Sequence, residues 1–171
     1  MCMNTTPTPD EQREHFHKLL SQFHTAMLVT HESDSRLRAR PMAIARVEDD
    51  CRMWFITSAE SAKSHEIQND SHVQVVCQKD RSAYLSLTGR AVLVRDRGMI
   101  HALWQEAFRV WFPGGKEDPH IELIVVNPED GEFWDNEGFN KMKCFCAAAR
   151  AYVTGTPPDM KEGEQHGKVS L

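Results

Sequence analysis

Three features are missing from this 171-residue sequence, and each absence excludes a class of protein. No apolar run approaches the roughly 20 residues that a membrane-spanning helix needs. The polar residues 1–12 have neither the basic start nor the apolar stretch of a secretory signal, so we expect a cytoplasmic protein. Basic residues are not in excess, because 20 Lys and Arg face 25 Asp and Glu. The resulting net charge of -5 argues against a broad nucleic-acid surface but permits a local cationic pocket.

The sequence also lacks the spacings that build disulfide frameworks, metal centres and Rossmann nucleotide sites. Its five cysteines are odd in number and scattered, which predicts reduced thiols. Cys144 and Cys146 lie two positions apart, a separation that points side chains of a helix away from each other, so we predict packing roles. The nine histidines form no ligand pattern, and no metal is expected. Gly114 and Gly163 do not lie between a strand and a helix, which argues against a dinucleotide-binding turn.

The composition that remains is that of one globular domain, with 40% hydrophobic and 26% charged residues. A chain of this length buries roughly 70% of the surface that it exposes when unfolded, so it needs no metal or disulfide to fold. We divide it into a flexible N-terminal arm over residues 1–9, a domain over residues 10–155, and a C-terminal tail or edge segment over residues 156–171.

Hydrophobic periodicity predicts short strands between helices. Asp10 is the predicted N-cap of a first helix, whose buried stripe holds Phe16, Leu19, Leu20 and Phe23. Strands are predicted over residues 27–30, 37–47, 53–57, 73–77, 84–94, 121–126 and 132–135. We expect a bulge at Gly89 and a reversing turn over residues 127–131. Further helices are predicted over residues 61–69, 100–111 and 145–152.

These elements together predict an α+β fold that is mainly antiparallel β. The connections are too short and too few for a doubly wound parallel sheet. Six or so antiparallel strands with helices at the margins instead suggest a small β-barrel. No internal repeat or linker divides the domain.

The junction between the third strand and the second helix carries chemistry that suits a phosphate. Thr57 and Ser61 supply hydroxyls there, and Lys63 supplies an ammonium group. The free N–H groups and the positive dipole end of a helix N-terminus favour a dianion. The ordinary alternative is that Ser61 is only an N-cap and Lys63 only a solvated residue. The junction by itself leaves both alternatives open.

A second cluster lies on the preceding strand, where alternation places Arg38, Arg40 and Met42 on one face. An arginine that points into a barrel needs a carboxylate or a bound anion as its partner. The alternative is a solvent-facing edge strand, which Pro41 favours.

The four tryptophans divide into two groups. Trp104 and Trp111 lie seven positions apart on the predicted third helix, which favours packing in the core or in a dimer. Trp134 precedes a polar run and could present its ring at the edge of a site.

The order of several short motifs resembles one known family. The motifs are Arg40-Pro41-Met42, Trp54-Phe55-Ile56-Thr57, Ser61-Ala62-Lys63, Glu66-Ile67, residues 84–91, residues 111–115 and Glu132-Phe133-Trp134. Their order and spacing are similar to those of pyridoxamine 5'-phosphate oxidase-related proteins, the FMN-binding split barrels. The resemblance is strongest to the general stress protein branch and covers about residues 16–153.

This resemblance implies a six-stranded split β-barrel with flanking helices, and a homodimer with two identical FMN sites at the subunit interface. The residues that it assigns to the cofactor are Arg40, Pro41, Met42, Ile56, Thr57, Ser61, Lys63 and Trp134. Arg40 and Met42 would hold the flavin ring. Ser61 and Lys63 would hold the phosphate, and Trp134 would reach the flavin of the partner subunit.

Two departures from the family pattern limit what the resemblance implies. Ala62 stands where the oxidase has arginine, which leaves Lys63 and the helix dipole to neutralise the phosphate. Residues 135–143 lack the Arg-x-His-Asp-Arg run with which true oxidases hold their substrate. We therefore expect a flavin-dependent oxidoreductase of unassigned substrate that is not a pyridoxamine phosphate oxidase. The alternatives are a non-catalytic flavin-binding stress-response protein and, for the cofactor, FAD; no catalytic residue is assigned.

Overall fold

The computed structural model describes residues 8–80, 82–135 and 166–171. The helices in these ranges are α1 (Pro9–Leu20), α2 (Ala62–Asn69) and α3 (Arg97–Leu103), with short 3-10 turns at Glu106–Val110 and Gly115–Glu117. The strands are β1 (Thr25–His31), β2 (Leu37–Val47), β3 (Met53–Ser58), β4 (His72–Lys79), β5 (Ala83–Val94), β6 (Ile121–Asp135) and β7 (His166–Ser170).

Six of these strands close into an antiparallel barrel. The strand order is β3-β2-β1-β4-β5-β6, and β3 pairs with β6 to complete the ring. Strand β7 pairs with the second half of β6, outside the ring. The α+β class and the six-stranded barrel predicted from the sequence are confirmed.

Two hydrophobic cores divide the side chains of the barrel strands. Along β3, Met53 and Phe55 join the main core, whereas Trp54 and Ile56 join a second core under α3. This alternation follows from the two-residue period of a strand. Buried members of the second core include Ile100, Leu103, Phe108, Ile121 and Leu123.

Helix α1 begins earlier than the sequence predicts, because Thr8 rather than Asp10 is its N-cap. The Glu11 N–H donates to Thr8 Oγ1 at 3.3 Å, and the Thr8 N–H donates to the Glu11 carboxylate at 2.7 Å. This reciprocal capping box satisfies two backbone donors, and Pro9 suits the first helical position. The buried stripe is confirmed for Phe16, Leu19 and Leu20. Phe23 is also buried, but it lies beyond the end of α1.

The predicted turn over residues 127–131 is wrong, because β6 runs through it as one continuous strand. Residues 127–131 pair with β5 instead, and the register shifts between Thr88 and Gly89. The predicted bulge is present beside Gly89, but its extra residue is Glu129 of β6, between the partners of Thr88 and Gly89. A Cβ at Gly89 would lie 2.2 Å from the Asn127 carbonyl oxygen, so only glycine fits this close approach of two backbones.

The predicted continuous helix over residues 100–111 is also wrong. Helix α3 ends at Leu103, Trp104 has an extended backbone, and a 3-10 turn follows at Glu106–Val110. Trp104 Nε1 donates to the Glu106 carboxylate at 3.1 Å, which supports the break. Trp104 is partly buried in the second core, but Trp111 is 77% exposed and does not pack in the core of its own chain.

The remaining predictions concern the cysteines, the C-terminal segment and membrane-spanning helices. Cys51 and Cys77 are free and buried, as predicted, whereas Cys144, Cys146 and the predicted helix over residues 145–152 lie outside the described residues. Of the two alternatives for the C-terminal segment, its last residues form the edge strand β7. None of the helices in the described ranges is long and apolar enough to cross a membrane.

Candidate functional site

The end of β3 and the start of α2 bring three hydroxyl side chains together. Thr57 is buried, and its Oγ1 lies 3.2 Å from Ser61 Oγ. Ser61 Oγ lies 3.1 Å from Ser64 Oγ and accepts the Ser64 N–H at 3.3 Å, so Ser61 is the N-cap of α2. The first N–H groups of any helix have no partner inside it. The junction therefore combines hydroxyl donors with the positive end of a helix dipole.

Arg40 of β2 takes part in a closed triangle of hydrogen bonds beside this junction. Its Nη1 donates to Thr30 Oγ1 at 2.7 Å, and its Nη2 donates to Glu66 Oε2 at 2.7 Å. Thr30 Oγ1 donates to the same Glu66 oxygen, which closes the triangle. The sequence predicts a carboxylate or a bound anion as the partner of an arginine that points into the barrel. Glu66 is such a carboxylate. Arg38 also approaches Glu66, with 3.9 Å between Nη1 and Oε1, and pairs with Glu32.

Opposing influences act on the Glu66 carboxyl group. Burial, the largest, raises its pKa, because a charge is less stable away from water. The hydrogen bonds from Thr30 and Arg40, with the charges of Arg40 and Arg38, outweigh burial and lower the pKa overall. Glu66 is therefore a carboxylate at neutral pH and neutralises Arg40.

Among the described residues of this region, Lys63 is a cation without a counterion. It is half-buried and makes no hydrogen bond or ion pair with any residue that the structure describes. Burial, together with the positive charge of Arg40, lowers its pKa, and the negative charge of Glu66 opposes this only partly. A bound anion would supply the acceptor and the opposite charge that the described residues do not give Lys63.

Three other residues predicted to bind the cofactor lie on β2 and β3. Pro41 is exposed on the part of β2 that pairs only with β1, so the edge-strand interpretation holds locally. Met42 is buried in the main core, and the Ile56 side chain is buried in the second core. The Met42 and Ile56 side chains therefore pack in the two hydrophobic cores. Ile56 is the neighbour of Thr57 in the chain, so its backbone lies beside the cluster.

Trp134 does not join the cluster of its own chain. Thr57 pairs with Glu122 near the start of β6, and Trp134 lies roughly 40 Å further along that strand at about 3.3 Å per residue. Its ring stacks on His166 of β7, with 5.2 Å between the ring centroids. The structure thus brings together Arg40, Thr57, Ser61 and Lys63, and separates Trp134 from them.

Thr30 and Glu66 contact a site residue, yet the sequence alone led us to give them no role. Glu66 follows Lys63 by three positions, which places both on one side of α2. This spacing, together with the two arginines of β2, is the feature of the sequence that indicates a role for Glu66. Thr30 carries no comparable signal, because its position beside Arg40 depends on the β1–β2 register.

A closed six-stranded antiparallel barrel, with a hydroxyl-rich helix start beside an arginine strand, defines the class of split-barrel proteins. The chain belongs to the pyridoxamine 5'-phosphate oxidase-like family, whose sequence model matches residues 11–159. The family resemblance drawn from the motifs is therefore confirmed.

Its relatives include proteins named for general stress. General stress protein 26 of Bacillus subtilis (strain 168) is 28% identical over 86 residues, which cover 48% of this chain. The chain spans 61% of the length of that relative.

Two solved structures share the fold. The general stress FMN/FAD binding protein from Xanthomonas citri is 28% identical with a TM-score of 0.64, over 75% of this chain and 92% of that one. General stress protein 26 from Bacillus anthracis str. Sterne is 23% identical with a TM-score of 0.65, over 71% of this chain and 92% of that one.

Proposed function

We propose that this chain is an FMN-binding flavoprotein and that the flavin phosphate binds at the start of α2. The observation that carries the proposal is the half-buried Lys63 ammonium group, which has no counterion among the described residues. The description of the Xanthomonas citri protein as an FMN/FAD binding protein supports it, since that protein is 28% identical to this chain.

The residues at the junction fit a phosphate by their donor chemistry. Lys63 offers an ammonium group beside the first N–H groups of α2. The Thr57 and Ser61 hydroxyls form a hydrogen-bond chain through Ser64 to the Ser58 carbonyl, and they would turn from this chain to donate to a bound phosphate. Glu66, whose negative charge acts on Lys63, is paired with Arg40 and adds little repulsion. The phosphate monoester of FMN concentrates about two negative charges on one group, whereas the diphosphate of FAD spreads two charges over two groups. A helix dipole with one ammonium group suits the more concentrated charge and favours FMN.

In this proposal the chain supplies binding and orientation, whereas a bound flavin supplies the redox chemistry of its ring. Lys63 and the hydroxyl groups hold the phosphate. Arg40 and the backbone around Met42 and Ile56 contact the ring. The described residues of the cluster include no carboxylate or histidine that is free to act as a general base, since Glu66 is engaged with Arg40 and Thr30. We propose an oxidoreductase of unassigned substrate. Pyridoxamine phosphate oxidation is not proposed, because residues 135–143 lack the Arg-x-His-Asp-Arg run of true oxidases.

A homodimer completes the site in this proposal. Alternate residues of β1 and β2 leave apolar side chains on the outer face of the barrel, where Met27 pairs with Pro41 on one side and Val76 on the other. Leu37 is 66% exposed and Met27 39% exposed on this face. An exposed apolar face supports association with a second copy, which would bring the partner subunit's Trp134 toward the flavin.

The association has its own test in the variant Met27→Asp. This change should convert the dimer into monomers in sedimentation and weaken FMN binding in parallel. The control Val110→Asp changes a more exposed apolar residue, away from the barrel strands, and should alter neither property. A wild-type protein that is monomeric at every concentration would contradict the dimer.

The purified protein tests the function itself. We expect visible flavin absorption after purification or, for protein freed of flavin, saturable quenching of FMN fluorescence on titration. Anaerobic reduction of the bound flavin by NADPH or NADH, followed by reoxidation with an added acceptor, supports the oxidoreductase. Binding without reduction by any donor of a broad panel supports the alternative, a non-catalytic flavin-binding stress protein. Failure to bind FMN contradicts both.

A further inference from the structure

The Thr30–Arg40–Glu66 triangle uses one edge of the arginine and leaves the rest of it available. Arginine has five N–H donors in a rigid planar fork. One hydrogen on each of Nη1 and Nη2 is used by Thr30 and Glu66, both at 2.7 Å. Three donors remain for a ligand. Because both bonds restrain the same plane, the guanidinium has one orientation and not a range of rotamers.

Stability alone is a weak explanation for this triangle. Thr30 is fully buried, and the Arg40 and Glu66 side chains are 17% and 10% exposed, so the ion pair is largely removed from water. Buried ion pairs are often no more stabilising than apolar residues of the same volume, because desolvation offsets the attraction. The neighbouring residues of β1 on the same face, Ala26 and Leu28, show that the barrel accepts apolar residues there.

The ion pairs also give Arg40 and Lys63 different roles toward a ligand. Glu66 neutralises Arg40, and Arg38 is paired with Glu32, so Lys63 alone carries a charge without a counterion among the described residues of this region. A neutralised arginine still donates hydrogen bonds but attracts an anion only weakly. It therefore suits neutral acceptors such as carbonyl oxygens, whereas Lys63 suits the phosphate.

We propose that Glu66, together with Thr30, is a positioning residue that holds the Arg40 guanidinium toward the carbonyl edge of the flavin ring and reserves Lys63 for the phosphate. This inference rests on the proposed flavin function and adds a division of ligand recognition within the site. Glu66 itself does not touch the ligand.

The test uses isosteric variants and two ligands that separate the ring from the phosphate. Glu66→Gln removes the charge, and Thr30→Val removes the hydroxyl that the triangle shares. Riboflavin reports on the ring alone, and inorganic phosphate, as a competitor of FMN, reports on the phosphate position alone. The control Glu106→Gln changes an exposed Arg–Glu pair, in which Arg109 Nε donates to Glu106 at 2.8 Å.

We expect both site variants to bind riboflavin about tenfold more weakly, as expected for a loosened charge-assisted hydrogen bond. Inorganic phosphate should compete at least as well as in the wild type, because Lys63 is untouched in both variants and Glu66→Gln also removes a nearby negative charge. The control should match the wild type for both ligands. Unchanged riboflavin affinity, or equal losses for riboflavin and phosphate, would overturn the proposal.

A second measurement needs no flavin. Restricted rotation of the Arg40 guanidinium should give resolved Nη signals in nitrogen-15 NMR of the flavin-free wild type. These signals should average in Glu66→Gln and stay resolved in Glu106→Gln. Averaged Arg40 signals in the wild type would contradict the positioning role even if FMN binds. Resolved signals in a wild type that takes up no flavin would instead contradict the proposed function and leave the triangle as a structural clamp.

Discussion

Arg40 Nη2 lies 2.7 Å from Glu66 Oε2, so a strand arginine and a helix carboxylate neutralise each other beside Lys63. The pair links β2 to α2 at the end of the barrel. Because Glu66 is paired with Arg40, the half-buried Lys63 has no counterion within the described part of the chain. The predictions about binding follow from this imbalance.

Reversing the charge at Lys63 should abolish most of the FMN affinity. Lys63→Glu replaces the proposed phosphate cation with a carboxylate, so one charge-assisted hydrogen bond is lost and repulsion is added. We expect at least a roughly hundredfold increase in the dissociation constant, measured by quenching of FMN fluorescence. The control Lys18→Glu makes the same charge change on an exposed position of α1 and should bind as the wild type does. Equal affinities for Lys63→Glu and the control would remove Lys63 from the site.

The lowered pKa of Lys63 gives FMN binding a pH dependence. Burial and the charge of Arg40 lower this pKa from the ordinary value of 10.5. FMN affinity should therefore fall with rising pH before an ordinary lysine would titrate. Lys63→Arg keeps its charge and should lack this decline, which separates Lys63 from titration of the ligand. Identical pH profiles for the wild type and Lys63→Arg would count against the assignment.

The lowered pKa of Lys63 also affects the stability of the flavin-free protein. Its stability should rise with pH, whereas FMN affinity should fall. Between the lowered pKa and 10.5, the unfolded chain holds the Lys63 proton and the folded chain does not, so the free energy of unfolding rises with pH. Denaturant titrations of the wild type and Lys63→Arg at several alkaline pH values measure this difference.

Mixed dimers test whether Trp134 serves the partner subunit. Trp134→Ala should weaken FMN binding and alter the flavin spectrum, because an aromatic contact is lost. Lys63→Glu and Trp134→Ala chains that are unfolded and refolded together should regain normal affinity at one of the two sites of each mixed dimer. That site combines an intact Lys63 with an intact Trp134 from the other chain. An absence of recovery in mixed dimers would show that both residues must come from the same chain.

A fold-level prediction concerns the bulge between β5 and β6. Gly89→Ala would place a Cβ at 2.2 Å from the Asn127 carbonyl oxygen, and both groups belong to paired backbones. We expect a loss of about 2 to 4 kcal/mol in the free energy of unfolding, measured in urea. Gly114→Ala is the control, since its Cβ would meet only the Asp118 side chain at 3.3 Å. Equal stability of the two variants would contradict the close approach.

The barrel strands were predictable because their signals are local. Alternating burial along β4 and β5 follows the sequence pattern of these strands, and the Ser61 cap marks the start of α2 to within one residue. The turn predicted over residues 127–131 is wrong, although Asn, Pro, Asp and Gly favour a turn locally. Pairing with β5 across the bulge outweighs that preference in the folded chain.

The site was predictable in part, for a related reason. Ser61 and Lys63 lie two positions apart in the sequence, and the helix-capping pattern indicates both. The partner of Arg40 was foreseen as a type of group, a carboxylate or an anion, but not as Glu66. Its identity depends on how α2 lies over the paired strands β1 and β2, which is tertiary information.

A crystal structure of the protein with FMN tests the central claim most directly. We predict that the phosphate lies within hydrogen-bond distance of Ser61 Oγ and Lys63 Nζ at the start of α2, with the ring beside Arg40. A flavin phosphate bound elsewhere on the barrel, with Lys63 still without a partner, would contradict the account.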